Sequence, residues 1–313
     1  MSPENPIIFK ARVMREFRSL LYAEGFVELS TPIIRRHRGS GLTPRMRLTD
    51  GWYLIDSPAF ALRYNLQSAE KIFEIGPCFR LNDISATHLP EFTMLDLYWR
   101  GASLVDAVSL AERLVRLFYY GPVEGLSVAE NIREKFGVDL FSSELGEQHL
   151  YQHLSAKYSA PDTSYLMLLD RYIKEEIEPL SKGRCLVVWD FPLQAEARAR
   201  KKEGALCVAD RVEFQIDGVE VIQAYTDEPD PFALVTRAEI QGDLEPEDQI
   251  MAELLEKDVV PSDSSGFGIG LERFCQVCLG VSDISQFMPS KPFSISISVQ
   301  KPAGWHADRN DKW

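Results

Sequence analysis

Two glutamates in the C-terminal half of the chain lie where a β-hairpin would bring their carboxylates together. The dipeptide Asp-Gly at 217–218 separates two alternating runs within residues 211–222, and this dipeptide favours a two-residue turn. Such a turn pairs Gln215 with Glu220 and makes Glu213 and Glu220 diagonal neighbours, about 7–8 Å apart on one face. Because Mg²⁺ combines a few carboxylates with phosphate oxygens, the pattern predicts a magnesium site at Glu213 and Glu220. An exposed acidic face is the alternative interpretation.

A second pattern sets an arginine opposite acids across a groove. Arg80 follows a predicted strand, and the run 88–96 forms a polar loop and a return strand that bears Glu91 and Asp96. A guanidinium can capture a carboxylate or a phosphate through two parallel hydrogen bonds. The pattern therefore predicts an anion site at Arg80, with a surface salt bridge as the alternative.

Alternate glycines precede a third candidate residue. Gly266, Gly268 and Gly270 permit close approach to a neighbouring strand, and Arg273 lies in the first turn of the apolar helix that follows. The glycine spacing differs from that of a dinucleotide-binding fingerprint, and the sequence contains no Walker-type loop. A bound nucleotide would therefore contact charged side chains on a sheet. A tightly packed corner between a strand and a helix is the alternative interpretation.

Hydrophobic periodicity predicts the elements that position these residues. Apolar spacings of about three to five residues favour helices, and strict alternation favours strands. The predicted helices span 8–24, 58–67 and several stretches between 103 and 178, and the predicted strands span 26–29, 91–98, 185–189 and 211–222. Strands separated by helices, with a hairpin in the C-terminal half, predict an α+β fold built on an antiparallel sheet.

Composition and charge narrow the class of protein. The 313 residues are 45% hydrophobic and 26% charged, which is typical of one large or two modest globular domains. A formal net charge of −13 argues against nucleic acid as the main partner, and the basic run 35–47 is interpreted as a solvated loop. No apolar run reaches the roughly 18–20 residues of a membrane span. Five scattered cysteines and the absence of a secretory pattern predict a reducing, cytoplasmic location.

Taken together and in order, three stretches resemble the catalytic domain of class II aminoacyl-tRNA synthetases. Residues 25–32 (Gly-Phe-Val-Glu-Leu-Ser-Thr-Pro) resemble motif 1, 79–93 resemble motif 2, and 268–273 (Gly-Ile-Gly-Leu-Glu-Arg) resemble motif 3. The resemblance is greatest to the lysyl, aspartyl and asparaginyl branch. Within that branch, the chain most resembles the stand-alone lysyl-tRNA synthetase paralogues that modify elongation factor P (the PoxA/GenX type).

The resemblance implies an antiparallel sheet flanked by helices, and a homodimer formed through motif 1. It places a catalytic domain at 1–292 with a helical insertion at about 103–180, and a C-terminal extension at 293–313. Like the stand-alone paralogues, the chain starts directly at the catalytic domain, so no anticodon-binding domain is expected.

The resemblance also implies ATP and Mg²⁺ as cofactors, an aminoacyl-adenylate intermediate and catalysis by positioning and charge neutralisation without a protein nucleophile. Carried over by position, Arg80 would hold the α-phosphate and the substrate carboxylate, and Arg273 would hold the γ-phosphate. Glu213 and Glu220 would bind Mg²⁺, and Phe92 would stack on adenine. Further predicted ATP contacts are Asn82, Asp83, His88 and Gly270. The predicted amino-acid contacts are Ser57, Ala59, Asp96, Tyr98, Gln223, Tyr225 and Asp227.

Several positions depart from the pattern of the lysyl-type relatives. Ala59 stands where those enzymes have a glutamate, which removes the counter-charge for a substrate ammonium. Asn82 stands for an acid and Thr87 for an arginine, while Asp96 and Asp227 stand for longer glutamates. The retained acids predict a cationic or amino-bearing substrate that sits differently from α-lysine.

Two functions are compatible with these residues. In the first, the chain activates an amino acid with ATP and passes it to a non-tRNA acceptor, which could be a protein lysine, a carrier protein or a small amine. In the second, it is a catalytically weakened paralogue that binds an amino acid or nucleotide and regulates a partner; Asn82 and Thr87 motivate this alternative. A third interpretation is a truncated tRNA synthetase that charges bulk tRNA, but the acidic net charge and the expected lack of an anticodon module argue against tRNA as the acceptor.

Overall fold

An eight-stranded mixed sheet organises the part of the chain that the computed structural model describes, residues 4–36, 45–81 and 85–289. The strands are β1 Val27–Glu28, β2 Ile34–Arg35, β3 Tyr53–Leu54, β4 Lys71–Phe79, β5 Glu91–Arg100, β6 Val123–Ser127, β7 Cys185–Trp189, β8 Arg211–Ile216, β9 Val219–Thr226 and β10 Ser264–Gly270. The helices are α1 Pro6–Ala23, α2 Ala59–Asn65, α3 Leu104–Arg116, α4 Val128–Phe136, α5 Gly146–Tyr158, α6 Tyr165–Tyr172, α7 Pro231–Gln241, α8 Pro246–Glu256 and α9 Leu271–Leu279.

The strand order is β1-β4-β5-β10-β9-β8-β7-β6, while β2 and β3 form a separate ribbon. The inner neighbours pair antiparallel, and the outermost pairs β1–β4 and β6–β7 are parallel. The predicted α+β fold, an antiparallel sheet flanked by helices, is confirmed, with these two parallel edges added. The predicted contacts Asn82 and Asp83 and the extension 293–313 lie outside the described residues.

One face of the sheet is buried beneath α1, α3 and α9. These helices and strands β4, β5, β8, β9 and β10 contribute to one hydrophobic cluster, which includes Phe17, Leu97, Phe214 and Phe274. Alternation along β5 turns Leu95 and Leu97 into this cluster, so the even-numbered side chains project from the opposite face. The candidate site lies on that opposite face.

The stretch between 103 and 173, for which the sequence predicted helices alone, also contains a strand. Helix α3 packs on the main sheet, and β6 then pairs in parallel with β7 at the edge. Helices α4, α5 and α6 enclose a second hydrophobic cluster with Leu186 and Val188 of β7. Strand β6 reads Val-Glu-Gly-Leu-Ser, too short a run to show alternation, and its pairing with a distant strand decides its conformation.

The stretch that resembles motif 1 links α1 to the sheet. Gly25 has a φ of 84°, which lets the chain turn after α1 into β1. Val27 of β1 pairs with Ile72 of β4. Four residues later, the backbone amide of Thr31 donates to Oε1 of the buried Glu74 carboxylate at 3.1 Å. The edge of the sheet is thereby fixed by backbone and side-chain contacts.

The predicted hairpin is confirmed. Ile216 pairs with Val219 and Gln215 pairs with Glu220, as the Asp-Gly turn requires. Asp217 has a φ of 51° and Gly218 a φ of 84°. Positive φ at both turn positions matches the right-handed twist of the two strands that the turn joins.

No helix in the described ranges is long and apolar enough to cross a lipid bilayer.

Candidate active site

A cavity of about 820 Å³ opens on the face of the sheet opposite α1, α3 and α9. Strands β5, β8, β9 and β10 contribute to its floor, and residues of α6, α7 and α8 contribute to its walls. Every predicted site residue within the described ranges lines this one cavity: Ser57, Ala59, Arg80, His88, Phe92, Asp96, Tyr98, Glu213, Glu220, Gln223, Tyr225, Asp227, Gly270 and Arg273.

Arg80 and Phe92 lie together where β4 ends and β5 begins. The guanidinium carbon of Arg80 is 5.2 Å from the centroid of the Phe92 ring. This distance allows a cation–π interaction, which aligns the guanidinium with the aromatic face. The pair combines a cation with an aromatic ring, two features suited to a nucleotide phosphate and base.

Arg273 joins the first turn of α9 to the loop between β4 and β5. Its Nε donates to the carbonyl of Thr87 at 3.0 Å, and Nη2 contacts Nε2 of His88. Nη1 donates to the carbonyl of Glu220 at 3.2 Å and lies 3.7 Å from that residue's carboxylate. The arginine therefore connects the loop, α9 and the hairpin at one end of the cavity.

The helix that carries Arg273 is tied to β5 by its neighbour Glu272. Both carboxylate oxygens of the buried Glu272 accept from the backbone amide of Thr93, at 3.0 and 2.9 Å. The ammonium of Lys10 in α1 neutralises the same carboxylate. This contact couples the stretches that resemble motifs 2 and 3.

A β-bulge brings Glu220 and the later residues of β9 to the same face. The pairing shifts after Gln215–Glu220, so that Phe214 pairs with Ile222 and Val221 is the extra residue. In a regular strand, Glu220 and Gln223 would point to opposite faces, because side chains alternate. With the extra residue between them, both line the cavity.

The acids of the hairpin sit in a charged, desolvated environment. Burial raises the pKa of Glu213 to about 7, and the like charge of Glu220 acts in the same direction. Burial likewise raises the pKa of Glu178 to about 7, again with a contribution from Glu220. Arg211 contacts the Glu213 carboxylate and partly offsets the cost of burying it.

These residues fit a divalent cation held jointly with phosphate. The side-chain oxygen Oε1 of Gln215 is buried and accepts no hydrogen bond within the described parts of the chain, while its amide nitrogen donates to Glu213 at 2.9 Å. No group of three His, Cys, Asp or Glu in those same parts could hold a metal ion. Mg²⁺ commonly binds through one or two carboxylates plus substrate phosphates, and Glu213 with Glu220 matches that donor set.

Asp96, one of the predicted amino-acid contacts, is a buried carboxylate. Its Oδ2 accepts from the hydroxyl of Ser57 at 3.0 Å, and the same hydroxyl accepts from the backbone amide of Ala59 at 3.0 Å. Burial raises the pKa of Asp96 to about 7. An ammonium placed beside this group would favour its ionised form and recover part of the desolvation cost.

Asp227 is also buried and has protein partners of its own. Its carboxylate accepts from the hydroxyl of Ser264 and lies 3.5 Å from Nε of Arg63. The hydroxyls of Tyr98 and Tyr225 are 3.3 Å apart in the same region. The end of the cavity that holds the predicted amino-acid contacts therefore presents two acids and two phenols.

One acid of the cavity wall, Glu196 in the loop before β8, was not predicted from the sequence. Its Oε2 accepts from the side-chain amide of Gln223 at 3.2 Å, and its Oε1 accepts from the backbone amide of Arg198 at 3.1 Å. Arg198 binds both carboxylate oxygens of Asp248, at 2.9 and 2.8 Å. The only local signal was the alternation of charged residues with alanine from Glu196 to Arg200, and this pattern is equally typical of an exposed loop.

A second feature that the sequence did not indicate is the burial of Arg45. Only 6% of this residue is exposed, and its guanidinium lies 2.7 Å from Asp56, 3.1 Å from Glu245 and 2.8 Å from Glu247. The interpretation of 35–47 as a solvated loop is wrong for Arg45 and for Arg35, which also binds Glu247. Acids from the start of α8, about 200 residues away, pair with these arginines.

Comparison with known proteins identifies the family. The model of the class II tRNA synthetases (D, K and N) matches residues 2–289.

The chain belongs to this family.

Among its relatives in the class II synthetase family are archaeal lysine–tRNA ligases. The ligase of Saccharolobus solfataricus is 26% identical over 329 aligned residues, covering 92% of this chain and 64% of the relative. The ligases of Sulfolobus acidocaldarius and Methanoculleus marisnigri are each 24% identical to this chain, and each alignment covers 63% of the relative. The chain therefore spans just under two thirds of the length of these relatives.

Proposed function

We propose that this chain activates an amino acid with ATP, forming an aminoacyl-adenylate and pyrophosphate. The observation that carries the proposal is the convergence of two guanidinium groups, Arg80 and Arg273, with the carboxylates of Glu213 and Glu220 in one cavity. A triphosphate needs cations along its length, and its bound metal needs carboxylates. Buried acids at the amino-acid end supply the complementary surface for an ammonium.

The reaction needs positioning and charge compensation. A carboxylate oxygen of the amino acid attacks the α-phosphorus, and the bond from that phosphorus to the bridging oxygen of pyrophosphate breaks. Arg80 would hold the α-phosphate and the attacking carboxylate, and Arg273 would hold the γ-phosphate so that the leaving group is in line. Mg²⁺ bound at Glu213 and Glu220 would neutralise phosphate charge. The step requires no nucleophile from the protein.

The acids of the cavity support an amino-bearing or cationic substrate. Asp96 and Asp227 are both buried, and each would gain from an ammonium counter-charge. Their side chains are one methylene shorter than glutamate, and Ala59 contributes no charge at all. These differences support a substrate that is placed differently from α-lysine, such as a β-amino acid.

We propose a non-tRNA acceptor for the second step: a protein lysine, as in the paralogues that modify elongation factor P, a carrier protein or a small amine. The amine nitrogen would attack the carbonyl of the adenylate, lose a proton and release AMP. A net charge of −13 supports an acceptor other than a polyanion.

A second candidate is the charging of tRNA, because the relatives are named lysine–tRNA ligases. The two candidates share the adenylate step and differ only in the acceptor. Incubating the chain with radiolabelled amino acid, ATP and either bulk tRNA or a cytoplasmic protein fraction separates them. Label in acid-precipitable, ribonuclease-resistant material supports protein acylation, and ribonuclease-sensitive label supports tRNA.

The first prediction tests adenylate formation by ATP–pyrophosphate exchange with a panel of α- and β-amino acids. Arg273→Ala or Glu220→Ala should reduce exchange at least about a hundredfold, because each removes a charge placed on the triphosphate or its metal. The exposed residues Arg15 and Glu203 provide matched controls, and Arg15→Ala and Glu203→Ala should retain activity.

Full exchange activity in either site variant would overturn the site assignment. Absence of exchange by the unaltered chain with every amino acid would instead support the alternative of a regulator that binds without catalysis.

We further propose that 1–292 forms one catalytic domain with a helical insertion at about 103–180, and that the chain is a homodimer in the cytoplasm. Tyr22 at the end of α1 and Val27 in β1 are each about half exposed, which supports a partner surface near the motif 1 stretch. Cys78, Cys185, Cys207, Cys275 and Cys278 are free thiols, which fits a reducing compartment. Sedimentation at several concentrations tests the dimer.

A further inference from the structure

Recognition of a substrate amino group needs an anion, and the position taken by Ala59 provides none. The hydroxyl of Ser57 binds the Ala59 amide and Asp96, so at this wall Ala59 contributes only a methyl group and a backbone amide that is already bonded. An ammonium transferred from water to this wall without a counter-charge would lose most of its hydration energy. Another group in the cavity must supply the charge if the substrate amino group is to be bound.

Glu196 is placed to supply it. It lines the cavity from the loop before β8, next to the β9 residues predicted to contact the amino acid. Its carboxylate accepts from Gln223 Nε2 at 3.2 Å. Its charge also acts on Tyr225 and Asp227, whose pKa values it helps to raise. Glu196 is therefore part of the amino-acid end of the cavity.

The contacts of Glu196 hold it as an anion. Burial acts to raise its pKa, but the guanidinium groups of Arg198 and Arg211 and the donors on its two oxygens outweigh burial and lower the pKa. Asp96 and Glu213, by contrast, have pKa values raised to about 7 by burial. At neutral pH, Glu196 is therefore more fully ionised than either Asp96 or Glu213.

Arg198 leaves this charge available to a ligand. Its guanidinium is directed to Asp248, at 2.8 Å, and to Asp243, at 3.0 Å, whereas its distance to the Glu196 carboxylate is 3.6 Å. Asp227 lies at a similar distance from an arginine, 3.5 Å from Nε of Arg63, and accepts from the Ser264 hydroxyl, but burial raises the pKa of its carboxyl. Glu196 thus combines a stable negative charge with contacts that orient its carboxylate.

The geometry points to Glu196 as the residue that binds the amino group of the substrate, in place of the acid that is absent at Ala59. The inference rests on the proposed function and deepens it, because it assigns the site that distinguishes an amino acid from the same acid without its amino group. An ammonium bound by Glu196 would lie on the β9 side of the cavity and also face Gln223. This position differs from the wall at Ser57 and Ala59.

Three related molecules test the inference. Lysine and 3,6-diaminohexanoate (β-lysine) each differ from 6-aminohexanoate by one added amino group, at the α or the β carbon. Their dissociation constants are measured by calorimetry on the full chain with Mg²⁺ and a non-hydrolysable ATP analogue. The unaltered chain should bind at least one diamino acid about ten to a hundred times more tightly than 6-aminohexanoate, the range expected for a charge-assisted hydrogen bond.

Glu196→Gln keeps the size of the side chain and removes its charge. We expect this variant to lose the preference for the diamino acid, bringing the ratio of dissociation constants close to one. Its affinity for 6-aminohexanoate should change less than about threefold, because that molecule has no amino group at the tested positions. Glu196→Asp should restore part of the preference, and thermal unfolding of each variant checks the fold.

Asp243→Asn is the matched control. This substitution removes one partner of Arg198 and leaves Glu196 unchanged. If Glu196 acted only by holding the loop in place, Asp243→Asn would lower the preference for the diamino acid as much as Glu196→Gln does. An undiminished preference in Glu196→Gln, an equal loss in Asp243→Asn, or no preference in the unaltered chain would each overturn the inference. Selective binding without pyrophosphate exchange would leave the inference standing and overturn the proposed function.

Discussion

Individual carboxylates in the cavity titrate near neutral pH because they are buried. Burial raises the pKa of Asp96 from the usual 3.8 to about 7, and the pKa of Glu213 from 4.5 to about 7. Such groups change charge under physiological conditions when a cation binds beside them. Substrate and metal affinity should therefore increase with pH across neutrality, since the ionised acids are the ones that bind cations.

The second prediction concerns Asp96 and the pH dependence of stability. Between about pH 4 and pH 7, the folded chain holds a proton on Asp96 that the unfolded chain has lost, so this residue's contribution to stability falls as pH rises. Asp96→Asn removes that penalty and should be more stable than the unaltered chain at pH 8, by up to about 4 kcal/mol. The difference should shrink towards pH 4.

Chemical denaturation at several pH values measures this difference directly. Asp162→Asn, at an exposed position, is the control and should show no comparable trend. A stability difference for Asp96→Asn that stays constant from pH 4 to pH 8 would contradict the assignment of a buried, protonated carboxylate.

At the scale of elements, the packing of β10 against β5 illustrates where glycine is required. A Cβ atom at Gly266 would lie 2.1 Å from the backbone oxygen of Leu97, whereas one at Gly268 would have its nearest neighbour, the sulfur of Met94, at 3.7 Å. The predicted close approach of the glycine strand is therefore present at Gly266 and absent at Gly268. Of these two positions, only a side chain at 266 would force the backbones of β5 and β10 apart.

The third prediction follows from this difference. Gly266→Ala should lower the free energy of unfolding by about 1–3 kcal/mol or more, because the backbone of β5 or β10 must move to admit the methyl group. Gly268→Ala is the matched control on the same strand and should change stability by less than about 1 kcal/mol. Thermal or urea unfolding distinguishes the two, and equal losses would contradict the steric explanation.

The bulge in β9 is the element that completes the end of the cavity proposed to bind the amino acid. Without the extra residue Val221, Gln223, Tyr225 and Asp227 would point away from the face that carries Glu220. The alternation breaks at the adjacent apolar residues Val221 and Ile222, but such a break does not by itself specify a bulge. The hairpin and its first pairs were therefore predictable from the sequence, and the structure decided the change of face.

At the scale of the whole molecule, net charge sets which partners can approach. The formal charge of −13 generates a repulsive field for a polyanion. Within the described residues, the arginines near the amino-acid end are occupied by acids, as for Arg45 and Arg198. Neither observation favours a large surface for phosphate backbones.

The fourth prediction tests this property with bulk tRNA. Filter binding over a salt series should show no retention at about 150 mM salt, because few counterions are released when an acidic protein meets a polyanion. A basic protein of similar size serves as the positive control. Micromolar or tighter binding with a steep dependence on salt would favour tRNA charging over the proposed acceptor.

Local features of the sequence indicated many of the elements, though not β6, and the reactive residue types. The Asp-Gly turn acts between adjacent strands, so the register next to it is set by neighbouring residues. The three family-like stretches and the hairpin predicted Arg80, Arg273, Glu213 and Glu220 as site residues, and the family match supports the resemblance of the stretches. Alternation and helical periodicity are properties of short segments and need no knowledge of the remaining fold.

Only the tertiary structure decided which loops close the cavity and which charges are buried. Glu196 enters the site through a loop, and Arg45 is buried by acids of α8 that are distant in sequence. The bulge at Val221 depends on the packing of both faces of β9. Each outcome balances desolvation against contacts made across the fold, and that balance is invisible in a local pattern because the partners are far apart in the chain.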